Sequence, residues 1–204
     1  IAAVLTRGEL VVKNSQRKNL DAFLQAFRRA GGVVQEIDAT TTLYKSSGEL
    51  VSTDIVTLPH PGFMTDWQAP WAVFMTQANG VSTIHETVFE SRFSYVGELK
   101  KMGADIDFYD PDVTNPSEYY NFNWADRRED YHQGIRIKGP VPLHNAVLSA
   151  DDIRAGASLV LAALVAEGES YIHGVEKIDR GYEHLEERFS AVGASMKRKK
   201  ELDV

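Results

Sequence analysis

Residues 80–103 read GVSTIHETVFESRFSYVGELKKMG. A glycine opens a short β-prone run, Val81-Ser82-Thr83-Ile84-His85, and a polar loop follows it. Tyr95, Val96, Leu99 and Met102 then recur at helical spacing, and Gly103 stands where a helix terminus needs a left-handed residue. The same plan occurs twice more. Residues 8–31 carry Glu9-Leu10-Val11-Val12-Lys13 and the stripe Leu20, Phe23, Leu24, Phe27. Residues 168–193 carry Glu169-Ser170-Tyr171-Ile172-His173 and the stripe Tyr182, Leu185, Phe189, Val192. The opening and closing glycines lie 23, 23 and 25 residues apart, so the chain is read as three copies of one unit.

Outward from these segments, a further helix is expected ahead of each opening glycine, over 66–77 and 152–165. In the first copy only residues 1–5 of such a helix are present, without a starting Met, as if its beginning lay outside the sequence. Residues 42–45 and 50–57, around Ser46-Ser47-Gly48, read as a hairpin closing the first unit. The helix over 155–166 is apolar nearly all round, as one enclosed by sheets should be. The expected fold is a single α/β domain of three β-α-β-α-β-β units, at about 1–58, 59–145 and 146–204, with pseudo-threefold symmetry. Residues 109–134 break the pattern: aromatic and acidic, they read as a surface excursion packed by its own rings.

Bulk properties remove several classes of function. A net charge of −7 argues against a broad nucleic-acid surface, which needs a basic face. The one basic cluster, Lys197-Arg198-Lys199-Lys200, reads as a solvated terminus. The longest small or apolar run, 157–166, is too short to cross a bilayer, so no membrane partner is expected. Cysteine is absent, and the histidines at 60, 85, 132, 144, 173 and 184 show no HxH or HxxxH spacing. No metal and no cofactor are expected. His85 and His173 fall in equivalent strand slots and read as structural.

Basic side chains are disfavoured at helix N-termini unless an anion joins them. Arg92 and Arg180 each stand twelve residues after an opening glycine, ahead of an expected helix, and Asp152-Ile153-Arg154 opens another. Each alone can be a surface residue paired to Asp179 or Asp152. Together they suit a small anion, because the guanidinium fork matches carboxylate and phosphate. On that reading the three converge on one face near Asp66. Thr65-Asp66-Trp67-Gln68 fits a capping box, and Asp66 near arginines would also serve as an ionised general base.

Longer motifs support the second choice. Pro61-Gly62-Phe63-Met64-Thr65-Asp66-Trp67-Gln68-Ala69 resembles a Pro-x-Phe-Pro-Thr-Asp-x-Gln-Ala segment, and Glu86-Thr87-Val88-Phe89-Glu90-Ser91-Arg92-Phe93 resembles Glu-Thr-x-Phe-Glu-Asn-Arg-Phe. Glu98 to Ala104, Asp152-Ile153-Arg154-Ala155, Ser158 to Ala162 and Asp179-Arg180-Gly181-Tyr182-Glu183 follow in order. This is the pattern of the UDP-N-acetylglucosamine 1-carboxyvinyltransferase family of enolpyruvyl transferases, which the chain resembles over nearly all its length outside 109–134.

The resemblance implies an inside-out α/β barrel domain facing a second domain that this sequence lacks, with substrates between them in a cytoplasmic enzyme. It implies enolpyruvyl transfer from phosphoenolpyruvate to the 3-hydroxyl of UDP-N-acetylglucosamine, releasing phosphate at the start of peptidoglycan synthesis. By motif position, Asp66 matches the proposed base, and Val88 and Phe89 match residues at the UDP-sugar. Arg92, Arg154 and Arg180, with Asp152 beside them, match those around phosphoenolpyruvate. Two departures stand out: Ser91 replaces asparagine, and Pro70 replaces glutamine and is expected to disturb the helix it begins. A 3-phosphoshikimate-type enzyme and a non-catalytic scaffold are the competing readings.

Overall fold

The computed structural model describes residues 1–199. The first unit contains α1 (Ala2–Leu5), β1 (Glu9–Val12), α2 (Asp21–Arg29), β2 (Gly32–Glu36) and β3 (Thr42–Ser46). The second contains β4 (Ile55–Val56), α3 (Gln68–Thr76), β5 (Gly80–His85), α4 (Tyr95–Lys101), β6 (Asp105–Tyr109), α5 (Pro116–Tyr119) and β7 (Gly134–Gly139). The third contains β8 (Val147–Ser149), α6 (Ile153–Val165), β9 (Tyr171–His173), α7 (Val175–Asp179) and α8 (Leu185–Ala191).

The three sheets are overlapping pieces of one plan. The middle sheet runs β4-β5-β7-β6, with β4 parallel to β5 and β7 antiparallel to both its neighbours. The first sheet, β1-β3-β2, repeats its last three strands, with β3 antiparallel to both partners. The parallel pair β8-β9 repeats its first two. Even an outlying bridge recurs: Val51 pairs with Asn79, and His144 with Glu167, each partner just before an opening glycine. The closing glycines Gly31, Gly103 and Gly193 all take positive φ, at +94°, +93° and +103°.

Helices occupy the middle of the domain. All of α3 but Pro70 is buried, and α6 packs against both α3 and α1, the corresponding helices of the other two units. That explains why α3 and α6 carry apolar residues on every side. Around them Phe23, Phe63, Trp67, Trp71 and Phe74 form edge-on aromatic contacts, with ring centroids 5.3–6.1 Å apart in the T-shaped pairs Phe23–Trp71, Phe63–Trp71 and Trp71–Phe74. Phe27 is fully buried against Gly32, where an added Cβ would lie 2.3 Å from its ring.

Four sequence expectations change. Residues 50–57 do not form a hairpin with β3; β4 crosses over and pairs in parallel with β5, opening the second unit. The ladder of β3 is already filled on both edges by β1 and β2, so no edge remains for it. Pro70 does not disturb α3, because it is the third residue of that helix, where backbone N–H groups need no intrahelical partner. The third stripe is broken: Tyr182 precedes α8, and Val192, beyond its end, is 61% exposed. No strands follow α8 among the described residues to cover that face as β2 and β3 cover α2. Arg198 does not lie free in solvent; it pairs with Asp179 and Glu186, while Lys200 lies outside the described residues.

Candidate active site

The alternation that buries one face of β5 carries on past its end. Ser82 and Ile84 face inward while Val81 is exposed, and Glu86 falls in the same phase, fully buried. A buried carboxylate requires donors, and Glu86 has four. Its Oε2 accepts from Thr65 Oγ1 at 2.8 Å and Gln68 Nε2 at 2.9 Å, and its Oε1 from the amides of Val88 at 2.8 Å and Phe89 at 3.1 Å. Gln68 in turn accepts from the hydroxyl of buried Tyr95. One side chain thereby fixes the turn that carries Asp66 to the loop that carries Val88, Phe89 and Arg92.

This use of Thr65 replaces the expected capping box. Residues Thr65–Trp67 form a single 3-10 turn ahead of α3, with no side-chain cap, because the Thr65 hydroxyl is spent on Glu86. Asp66 projects from that turn, and its Oδ1 accepts a hydrogen bond from Arg154 Nε.

Arg154 stands at the head of α6, where Asp152 is a true N-cap. Asp152 Oδ1 accepts from the amides of Arg154 at 2.8 Å and Ala155 at 3.0 Å, and its Oδ2 from Ser94 Oγ at 2.8 Å. Burial pushes the Asp152 carboxyl up, but the Ala155 amide, the Ser94 hydroxyl, the Arg154 amide and the charge of Arg92 outweigh it and hold it below its ordinary value. Ser94 therefore ties the start of α4 to the start of α6.

Arg92 lies in the loop before α4 rather than at its first turn, with its guanidinium 3.9 Å from the centroid of the Phe89 ring. It forms no ion pair among the described residues. Burial, and then the adjacent charge of Arg154, draw its pKa down against the opposing pull of Glu86, Asp152 and Asp66. Arg92, Arg154, Asp152, Thr65 and Gln68 line one small depression.

The structure thus brings together Asp66, Arg92, Arg154 and Asp152, with Val88 and Phe89 on the adjoining loop. Arg180 is placed differently from expectation. It caps the C-terminal end of α7 instead of opening a helix, and it is exposed and unpaired among the described residues. Its neighbour Gly181 does back onto the first turn of α6, where an added Cβ would lie 2.7 Å from Ile153 Cγ2. Tyr182, read from sequence as part of a core stripe, stands beside the Asp66–Arg154 pair. Its phenol is pushed up by burial first and then by Asp66.

Among the described residues no group of His, Asp and Glu is suited to hold a metal ion, and no helix is long and apolar enough to cross a membrane.

Comparison with known proteins gives a consistent family. The UDP-N-acetylglucosamine 1-carboxyvinyltransferase of Desulforapulum autotrophicum is 42% identical over 201 residues, 98% of this chain and 43% of its own length. That of Desulfatibacillum aliphaticivorans is 40% identical over 200 residues, 98% of this chain and 42% of its own. The chain spans less than half the length of these curated relatives. Among solved structures, the enolpyruvyl transferase NikO from Streptomyces tendae matches with a TM-score of 0.78 at 24% identity, over 96% of this chain and 41% of that one. EPSP synthase from Acinetobacter baumannii matches with a TM-score of 0.63 at 15% identity, over 97% and 42%. These two likenesses establish the fold. The family model described as EPSP synthase (3-phosphoshikimate 1-carboxyvinyltransferase) matches residues 1–189, and the chain belongs to that family.

Proposed function

We propose that this chain forms one wall of the active-site cleft of a cytoplasmic enzyme that transfers the enolpyruvyl group of phosphoenolpyruvate to the 3-hydroxyl of UDP-N-acetylglucosamine, releasing phosphate. A second domain, corresponding to the part of its relatives that this chain does not span, would form the other wall. The observation that carries this reading is the pairing of Arg92 with Arg154 beside Asp66. Burial and then the charge of Arg154 draw the Arg92 pKa down, and among the described residues only Arg154 of the two has a carboxylate hydrogen-bonded to it. Phosphoenolpyruvate offers a carboxylate and a phosphate to such a pair.

The chemistry suits these side chains. The sugar hydroxyl adds to the substituted vinyl carbon, so its proton must leave while the methylene carbon gains one; phosphate then departs as the methyl group gives a proton back. Asp66 is the group assigned to the hydroxyl proton. Arg92 and Arg154, and Arg180 from the adjoining segment, hold the negative charge of carboxylate and phosphate through both steps. Asp152 fixes the head of α6 so that Arg154 is presented to the cleft. Val88 and Phe89 face the nucleotide sugar from a loop whose amides Glu86 holds in place.

The curated relatives' shared name and roughly 40% identity favour the amino-sugar acceptor over 3-phosphoshikimate, since EPSP synthase from Acinetobacter baumannii stands at 15%. A scaffold would have no use for a half-buried arginine that is unpaired among the described residues and stands beside another. Phosphate release by the full-length protein, with each acceptor in turn, decides the matter. Release with UDP-N-acetylglucosamine and none with 3-phosphoshikimate is expected; the reverse would reassign the substrate, and no release with either would remove the enzymatic reading. The 204-residue chain alone is expected to release none.

A further inference from the structure

The sequence marks 109–134 as an excursion outside every matched motif, expected to be dispensable for the chemistry. Its topology agrees that it is not needed to close the sheet: Tyr109 and Gly134 face one another across the β6–β7 ladder, so a turn of a few residues would join them. The chain instead makes a long detour with a fixed internal packing. Tyr120 stacks on Trp124 with centroids 4.6 Å apart and planes 7° from parallel, and Arg127 lies 4.1 Å from the Trp124 ring.

His132 stacks on Phe108 at the foot of the sheet, and the hydrogen bonds that leave this packed unit converge on residues 85–90. The amide of Asn121 donates to Thr87 O at 2.8 Å, and its Nδ2 reaches the same oxygen at 3.3 Å. Gln133 O accepts from the Glu86 amide at 2.8 Å, and Gln133 Nε2 donates to Glu90 O at 3.1 Å. Tyr120 Oη lies 3.0 Å from His85 Nε2, and Tyr119 stacks on the same imidazole at 5.4 Å. Glu86 holds the amides of Val88 and Phe89 from within the domain. The excursion holds the carbonyls on either side of them, Thr87 and Glu90, from without. None of its hydrogen bonds reaches Asp66, Asp152 or Arg154.

We propose that the excursion is a positioning element for the Val88–Phe89 loop, setting the affinity for the nucleotide sugar; this rests on the function proposed above for that loop. A loop clamped on both faces stays in its binding geometry. One clamped only by Glu86 spends part of its time elsewhere, and the apparent affinity falls by the fraction of time it is competent.

The test replaces residues 112–131 of the full-length protein with a short Gly-Ser turn, alongside a milder Tyr120→Phe, Asn121→Ala double variant that keeps the aromatic packing. Amide hydrogen exchange at Val88 and Phe89 and the calorimetric Kd for UDP-N-acetylglucosamine are read together. The replacement is expected to speed exchange at those two amides selectively and raise Kd about tenfold. KM for phosphoenolpyruvate should move less, and the double variant should shift in the same direction by a smaller factor. Folded variants with unchanged exchange and unchanged Kd would overturn the proposal. Were the unaltered protein not to bind UDP-N-acetylglucosamine, the functional reading would fail, while exchange at the two amides would still decide whether the excursion positions the loop.

Discussion

Arg154 Nε donates a hydrogen bond to Asp66 Oδ1, joining the head of α6 to the turn before α3 across 88 residues of chain. The two side chains are 38% and 52% exposed. An ion pair that accessible contributes about 0–1 kcal/mol to folding. Stability alone therefore does not explain why an aspartate and an arginine face one another here. In the proposed reaction both are reagents: Arg154 turns to the incoming anion, and Asp66 is released to the sugar hydroxyl.

Asp66→Asn in the full-length protein should accordingly leave the denaturation midpoint nearly unchanged while lowering kcat by about two orders of magnitude or more, the range for loss of a general base. A large fall in melting temperature with turnover intact would identify Asp66 as a structural residue of the 3-10 turn.

Glu86→Gln should behave in the opposite way. The carboxylate accepts four hydrogen bonds and is fully buried, and an amide in its place presents an NH2 group to donors. A loss of about 1–3 kcal/mol in urea unfolding is expected, the cost of leaving buried donors unpaired. An unaltered unfolding curve would contradict the central place given to Glu86.

His85 gives the excursion a pH dependence. Burial lowers its pKa from the ordinary 6.5, so the folded state holds the imidazole neutral against Tyr120. Its contribution to stability is complete above pH 6.5 and is lost as pH falls through the lowered folded value. Urea unfolding between about pH 7.5 and pH 5 should show a decline that is shallower in His85→Gln. Equal slopes in the two proteins would show that the imidazole is not held neutral.

Much of this was legible in the sequence because it is periodic. The glycine-bounded repeat foretells β5, α2 and α4 and the enclosure of α3 and α6, and Asp152 reads correctly as a helix start. What escaped was long-range. The pairing of β4 with β5 instead of β3 depends on which sheet edges are already filled, and residues 42–57 carry no trace of that. Thr65-Asp66-Trp67-Gln68 has the form of a capping box, but a buried carboxylate 21 residues away takes the threonine hydroxyl. Glu86 itself was open to reading, since it shares the phase of Ser82 and Ile84. Arg180 occupies the same place in its repeat as Arg92, yet the segment before it, a loop in the second unit, winds into α7 and leaves it at a helix end.

The claim that Arg92 and Arg154 form an anion site for phosphoenolpyruvate is tested most directly by kcat/KM for that substrate in full-length Arg92→Ala. Arg92 has no ion pair to lose among the described residues, so its removal takes away charge at the site without leaving a carboxylate unpaired. The expected loss is about 2–4 kcal/mol, roughly 30- to 1000-fold, with the Kd for UDP-N-acetylglucosamine changing by less than about threefold. An unchanged kcat/KM for phosphoenolpyruvate would contradict it.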